Sequence, residues 1–202
     1  MTDRVPRRRV VSLGLFLACV LAPSAAAEQV NIYSARHYDT DLALYDTFTE
    51  RTGVAVNLIE GGSDALIERI ANEGEYTPAD MLITVDAGRL WRAEQRGLFQ
   101  PVESPVLEER IPEHLRHPDG LWFGLSKRAR VIVHARGRPL PVPIARYEDL
   151  ASEELRGTVC MRPSSNIYNL SLMSSLIDAL GAVGAQTWAE GVVANFARPP
   201  QG

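Results

Sequence analysis

An imidazole and a phenol stand side by side at His37-Tyr38, and a second phenol, Tyr168, stands 130 residues downstream. An imidazole can bind a metal or exchange a proton. A phenol has a pKa of about 10 in water and becomes an anionic oxygen ligand when a cation displaces its proton. Three guanidiniums accompany them at Arg36, Arg128 and Arg130. Arg128 and Arg130 are two apart in a strand-like run and share a face there. Each residue also has a plainer reading. His37 serves as well as a solvated loop histidine, and Tyr38 as the apolar residue that packs ahead of a helix cap. Tyr168 could pack on the preceding strand, and the arginines could be solubilising charge on a strand edge. Tyr33 and Tyr45 fall on regular strand and helix positions and read as core. Tyr76 and Tyr147 lie in loop-like contexts and carry no role, and Met173 belongs to an apolar stripe. Cys160 sits in a strand-like run and reads as buried and inert. No GxSxG elbow, P-loop, GxGxxG opening or HExxH helix occurs, which argues against an enzyme. Gly61-Gly62-Ser63-Asp64 is a glycine turn ahead of a helix, read as structural although such a turn can bind an anion.

The elements that must position these residues follow from periodicity. Gln29 to Ser34 reads as a strand, Thr40 to Thr52 as a helix with Leu44, Tyr45 and Phe48 on one face, and Ala55 to Glu60 as a second strand. Asp64 to Asn72 reads as a helix with Leu66, Ile67 and Ile70 inward, Asp80 to Val85 as a third strand, and Ala87 to Arg96 as a third helix. This alternation implies an α/β fold with parallel βαβ units. Prolines at 101, 105, 112 and 118 mark irregular chain. Two strands are expected at Leu121 to Ser126 and Arg128 to Ala135, a short helix at Tyr147 to Leu155, and a strand at Thr158 to Met161. Asn166 to Leu180 reads as a helix with Leu170, Met173, Ile177 and Leu180 along one stripe, and a last helix covers roughly Ala185 to Phe196. His37-Tyr38 thus falls at the carboxyl end of the first strand, with Asp39 or Thr40 capping the next helix. Tyr168 falls in the first turn of a helix. Open α/β sheets bind ligands at the carboxyl ends of their strands.

The N-terminus reads as a secretory signal peptide over residues 1–27. Arg4, Arg7, Arg8 and Arg9 precede an apolar stretch from Val10 to Ala22, and Ala25-Ala26-Ala27 supplies small residues for cleavage. The apolar stretch is shorter than the roughly 20 residues a membrane span needs, and no other segment comes closer. The remaining 175 residues hold 17 basic and 24 acidic side chains, a net charge of −7. Nucleic acid and anionic membrane surfaces are poor partners for such a chain. A lone cysteine, Cys160, rules out an internal disulfide in the exported part.

Four segments resemble the ferric-ion-binding periplasmic proteins of iron(III) ABC importers, which are two-lobed solute-binding proteins. They are Val30 to Asp41 (VNIYSARHYDTD), Pro78 to Leu90 (PADMLITVDAGRL), Trp122 to Val131 (WFGLSKRARV) and Arg162 to Asn169 (RPSSNIYN). The resemblance implies a type 2 periplasmic-binding-protein fold, with a first α/β lobe over 28–130 and a partial second lobe over 131–202. It implies Fe3+ as the cargo, His37, Tyr38 and Tyr168 as its ligands, and delivery to an inner-membrane ABC permease by a periplasmic monomer. Ferric iron is a hard ion that favours anionic oxygen. A synergistic anion such as carbonate would be held by arginine, with Arg36, Arg128 and Arg130 as the candidates. The family also carries a pair of adjacent tyrosines further along. This sequence holds no Tyr-Tyr dipeptide, which implies a chain that stops before its second lobe is complete. The competing expectations are a solute-binding protein for a polyamine, thiamine or an oxyanion, or a fragment without a function of its own.

Overall fold

The computed structural model describes residues 28–201, so the signal-peptide assignment to residues 1–27 lies outside the described residues. Three parallel strands form the sheet: β1 (Gln29–Ser34), β2 (Ala55–Glu60) and β3 (Met81–Ile83), in the order β2-β1-β3. β1 is central and pairs Gln29 to Ala55 through Ser34 to Glu60, and Ile32 to Met81 through Ser34 to Ile83. Its Ile32, Tyr33 and Ser34 are consecutive and all buried, which is what a central parallel strand covered on both faces requires. The Tyr33 hydroxyl meets both Glu73 oxygens at 3.1 Å, and Arg69 also binds that carboxylate at 2.7 Å. Burial pushes the Tyr33 phenol up from its ordinary pKa.

Helices α1 (Asp39–Thr52), α2 (Ser63–Glu73) and α3 (Ala87–Gln95) connect and follow the strands. α2 buries Leu66, Ile67 and Ile70, the face its periodicity marks. Tyr33, Leu66 and Ile70 form one hydrophobic cluster, with Ala35, Ile59, Ala79, Leu82 and Leu98 packed against it. α4 (Pro105–Arg110) starts with Ser104 as its cap and proline at its first position. Short 3-10 turns at Tyr147–Ala151 and Glu153–Leu155 precede the long α5 (Ile167–Ala194). A second cluster joins Leu150, Leu155 and Val159 to Leu176, Ala185, Trp188 and Val192 of α5.

The structure departs from the expected elements in several places. The expected strands at 121–126 and 128–135 are absent; Phe123 makes one isolated antiparallel bridge to Arg116, and the chain from 125 to 135 is irregular. A strand exists only through a partner for its backbone, and β-type side chains alone supply none. Val131 and Val133 are accordingly left exposed. The strand at 158–161 shrinks to a single bridge between Val159 and Phe196, and Cys160 beside it is exposed rather than buried. α1 begins one residue earlier than expected, with Tyr38 as a backbone cap lacking a side-chain bond. α1 buries no residue fully, and Leu44 and Phe48 are exposed, because among the described residues no element closes over that face. The expected stripe on α5 is also rotated: Leu170, Ile177 and Leu180 are exposed, while Ile167 and Leu176 are buried. α5 is long and apolar enough to cross a membrane by length and composition, contrary to the expectation that no segment came closer than Val10 to Ala22. Gly181, at φ 73° and ψ 165°, breaks it into the two expected helices, with only one residue between them.

Candidate metal-binding site

The carboxyl ends of parallel strands lie at one edge of the sheet, so the residues just after β1 and at the end of β2 become neighbours. His37 follows β1 and Glu60 ends β2. His37 Nδ1 lies 3.1 Å from Glu60 Oε1. In a neutral ring this contact selects the Nδ1–H tautomer, with Glu60 accepting, and leaves the Nε2 lone pair for a cation. Glu60 was not among the sequence candidates; its place at the end of a strand beside β1, just ahead of Gly61-Gly62, was the available signal.

Tyr38 has an extended backbone and is half exposed at the start of α1. The Arg36 guanidinium stacks over its ring, 5.0 Å from the centroid. Arg36 also donates twice to Asp41, from Nε at 2.8 Å and Nη2 at 3.1 Å. That hydrogen bond holds the Asp41 carboxyl below its ordinary pKa. Arg36 is therefore committed to its own helix start.

Tyr168 is placed by the cap of α5. The Asn166 side chain accepts from Tyr168 N at 3.0 Å, and Asn169 Nδ2 donates to the Arg162 and Pro163 carbonyls at 2.6 and 3.2 Å. This local network folds the 162–166 turn back under the helix. Arg128 then links the two phenols: Nη2 lies 3.2 Å from the Tyr168 hydroxyl and Nη1 3.5 Å from the Tyr38 hydroxyl, the latter at the long limit of hydrogen bonding. One guanidinium thus spans residues 130 positions apart. The Arg130 guanidinium stacks 3.8 Å from the Tyr168 ring centroid, and Arg162 lies 5.9 Å from it. Arg128 and Arg130 reach Tyr168 from irregular chain rather than from one face of a strand. Arg162 was missed by the sequence reading; it precedes Tyr168 by six residues with no periodic signal.

The structure thus brings Tyr38, Tyr168, Arg128 and Arg130 together, sets the His37 ring against Glu60, and turns Arg36 to Asp41. No acidic residue occurs between Asp119 and Glu148. Among the described residues, Arg128, Arg130 and Arg162 make no ion pair, whereas Arg36, Arg69, Arg89, Arg92 and Arg96 all do. Positive charge without a carboxylate partner is complementary to an anion beside Tyr168. Among the described residues no three His, Cys, Asp or Glu side chains cluster closely enough to hold a metal. The phenols are what distinguish this site chemically: once deprotonated by a bound cation they are hard anionic oxygen donors.

A parallel α/β sheet with polar side chains at its carboxyl edge is an architecture suited to binding a small ligand there. The sequence pattern of the bacterial extracellular solute-binding proteins matches residues 41–198, and the chain belongs to that family. It is 48% identical to iron uptake protein A1 of Synechocystis over 100% of this chain and 61% of that protein. A Trichodesmium protein solved in complex with iron and citrate ligands superposes with a TM-score of 0.81 at 56% identity, covering 86% of this chain and 55% of that one. The ferric binding protein of Campylobacter jejuni superposes at 0.78 with 41% identity, again over 86% and 55%. The fold is accordingly the α/β fold of type 2 periplasmic binding proteins, and the chain spans about 60% of the length of the curated relatives it matches.

Proposed function

We propose that this chain captures ferric iron in a cleft between a first lobe, residues 28–130, and a second, residues 131–202, and passes it to the permease of an ABC importer. The observation that carries this reading is the single guanidinium of Arg128 touching both Tyr38 and Tyr168. Two phenols brought that close by separate parts of the chain are suited to one hard cation. The relatives' names support it: iron uptake proteins and ferric binding proteins. In the proposed complex His37 supplies Nε2, Tyr38 and Tyr168 supply phenolate oxygens, and the remaining positions go to water or to a small anion such as carbonate. When iron takes the place of the Arg128 guanidinium between the phenols, Arg128, Arg130 and Arg162 are left to face that anion. The protein acts as an exported, periplasmic monomer, made with residues 1–27 as its signal peptide, and binds its cargo without chemical turnover.

Titration with ferric citrate is expected to produce a visible phenolate-to-iron charge-transfer band. Tyr38→Phe and Tyr168→Phe should each weaken the band and lower affinity in citrate competition. A band and affinity unchanged in both variants would reject the site. A polyamine or a phosphonate bound in preference to iron would reject the cargo.

A further inference from the structure

Asp86 follows β3 and carries a positive φ of 76° with ψ 133°, the only non-glycine residue among those described with φ above zero. Such backbone is sparsely populated and persists only where surrounding contacts hold it. Two contacts hold Asp86. Its Oδ1 accepts from Gly88 N at 2.9 Å, capping α3. Its carboxylate also accepts from the Ser171 hydroxyl, at 2.9 and 2.8 Å from the two oxygens. Ser171 belongs to α5, 85 residues further along the chain. Among the described residues this is the only direct side-chain hydrogen bond between α5 and residues 28–126. It is reinforced by packing: a Cβ on Gly88 would come within 3.3 Å of Ile167 Cδ1, so the start of α3 touches the first turn of α5. Ile167 is buried there although its neighbours Leu170 and Ser171 are largely exposed.

We infer that Asp86 and Ser171 form a latch that holds the cleft closed and sets the separation of Tyr38 from Tyr168. Ser171 lies three residues after Tyr168, on the same helix face, so fixing one orients the other. Asp86 ends the same sheet edge that carries His37, Tyr38 and Glu60. From the strained turn at Asp86 one carboxylate reaches both the start of α3 and Ser171 of α5. The latch works without cargo, because both partners belong to the chain. Its effect on iron rests on the function proposed above, whereas its effect on cleft geometry does not.

The test uses the full chain with Cys19 and Cys160 replaced by serine and spin labels on cysteines introduced at the exposed positions Glu50, on α1, and Asp178, on α5. Without iron, the parent is expected to give one narrow distance. Ser171→Ala, which leaves the α3 cap intact, should give a longer and broader distribution. Asp86→Ala should do the same, while Asp86→Asn, which keeps an acceptor and tolerates positive φ, should resemble the parent. Iron release from Ser171→Ala should be faster by roughly threefold to tenfold, the scale of one ordinary hydrogen bond between solvent-accessible groups. An unchanged distance in both Ser171→Ala and Asp86→Ala overturns the latch, even if iron binds as proposed. A lengthened distance in a chain that binds no iron upholds the latch and rejects the cargo.

Discussion

Arg36 and Asp41 lie five positions apart and close a two-pronged pair at the foot of α1, directly behind Tyr38. Because Asp41 has a depressed pKa in the folded chain, the pair stabilises the fold fully above the unfolded aspartate pKa of about 3.9. That contribution is lost as pH falls through the lower, folded value. Asp41→Asn is therefore expected to lower urea stability at pH 7 by about 1 kcal/mol or less, since both partners are partly solvated. The difference should vanish below the folded pKa, as urea titrations at the two pH values would show. Glu60 makes a different prediction. If it orients His37 for iron, Glu60→Ala should weaken ferric binding about 10- to 100-fold in citrate competition while the tyrosine charge-transfer band persists. Equal affinity in the variant would remove Glu60 and its hold on His37 from the site.

At the scale of elements, α5 carries much of the architecture. Its first two turns hold Tyr168 and Ser171, and its second half holds Ala185, Trp188 and Val192 in the core. Gly181 sits between these halves in a region of φ and ψ that is nearly closed to residues with a Cβ, although no atom lies within 4 Å of where that Cβ would be. The penalty for a side chain there is conformational rather than steric. Gly181→Ala is expected to destabilise the chain by about 1–3 kcal/mol. Urea denaturation would measure it, and an unchanged or raised midpoint would mean that the break in α5 is not held by the fold. The irregular stretch from 125 to 135 is the counterpart of α5. Without a paired strand, its arginines are placed by contacts with Tyr168 instead of by a sheet register.

For the whole molecule, the two hydrophobic clusters share no buried residue. Trp188 is buried in the second and donates from Nε1 to the Tyr147 carbonyl at 2.7 Å. Trp188→Ala should cost about 3–5 kcal/mol in that cluster. Hydrogen exchange is the measurement that resolves where the loss falls. Amides of α5 after Gly181 should lose protection, while β1 amides around Tyr33 keep theirs. Equal loss in both places would show a single cooperative unit instead of two separately stabilised clusters joined through the Arg128 and Asp86 contacts.

The sequence by itself determined the local elements whose partners are near in the chain. β1, β2 and α2 occur within a residue or so of where alternation and 3.6-residue periodicity place them, because propensity, burial and turn chemistry agree there. It also marked Tyr38, Tyr168, Arg128 and Arg130, which the fold does bring into one neighbourhood. Tertiary structure alone decided the rest. A β-rich run such as 128–135 becomes a strand only if another strand offers its backbone, and side-chain pattern carries no information about that partner. Which face of α1 or α5 is covered likewise depends on elements far away in sequence, so Leu44 and Leu170 look like core and are not. Glu60 and Asp86 are single carboxylates among 25 acidic residues. The parallel order of the sheet, which carries strand ends to one edge, gives Glu60 its neighbour His37, and the packing of α3 against the start of α5 gives Asp86 its neighbour Ser171.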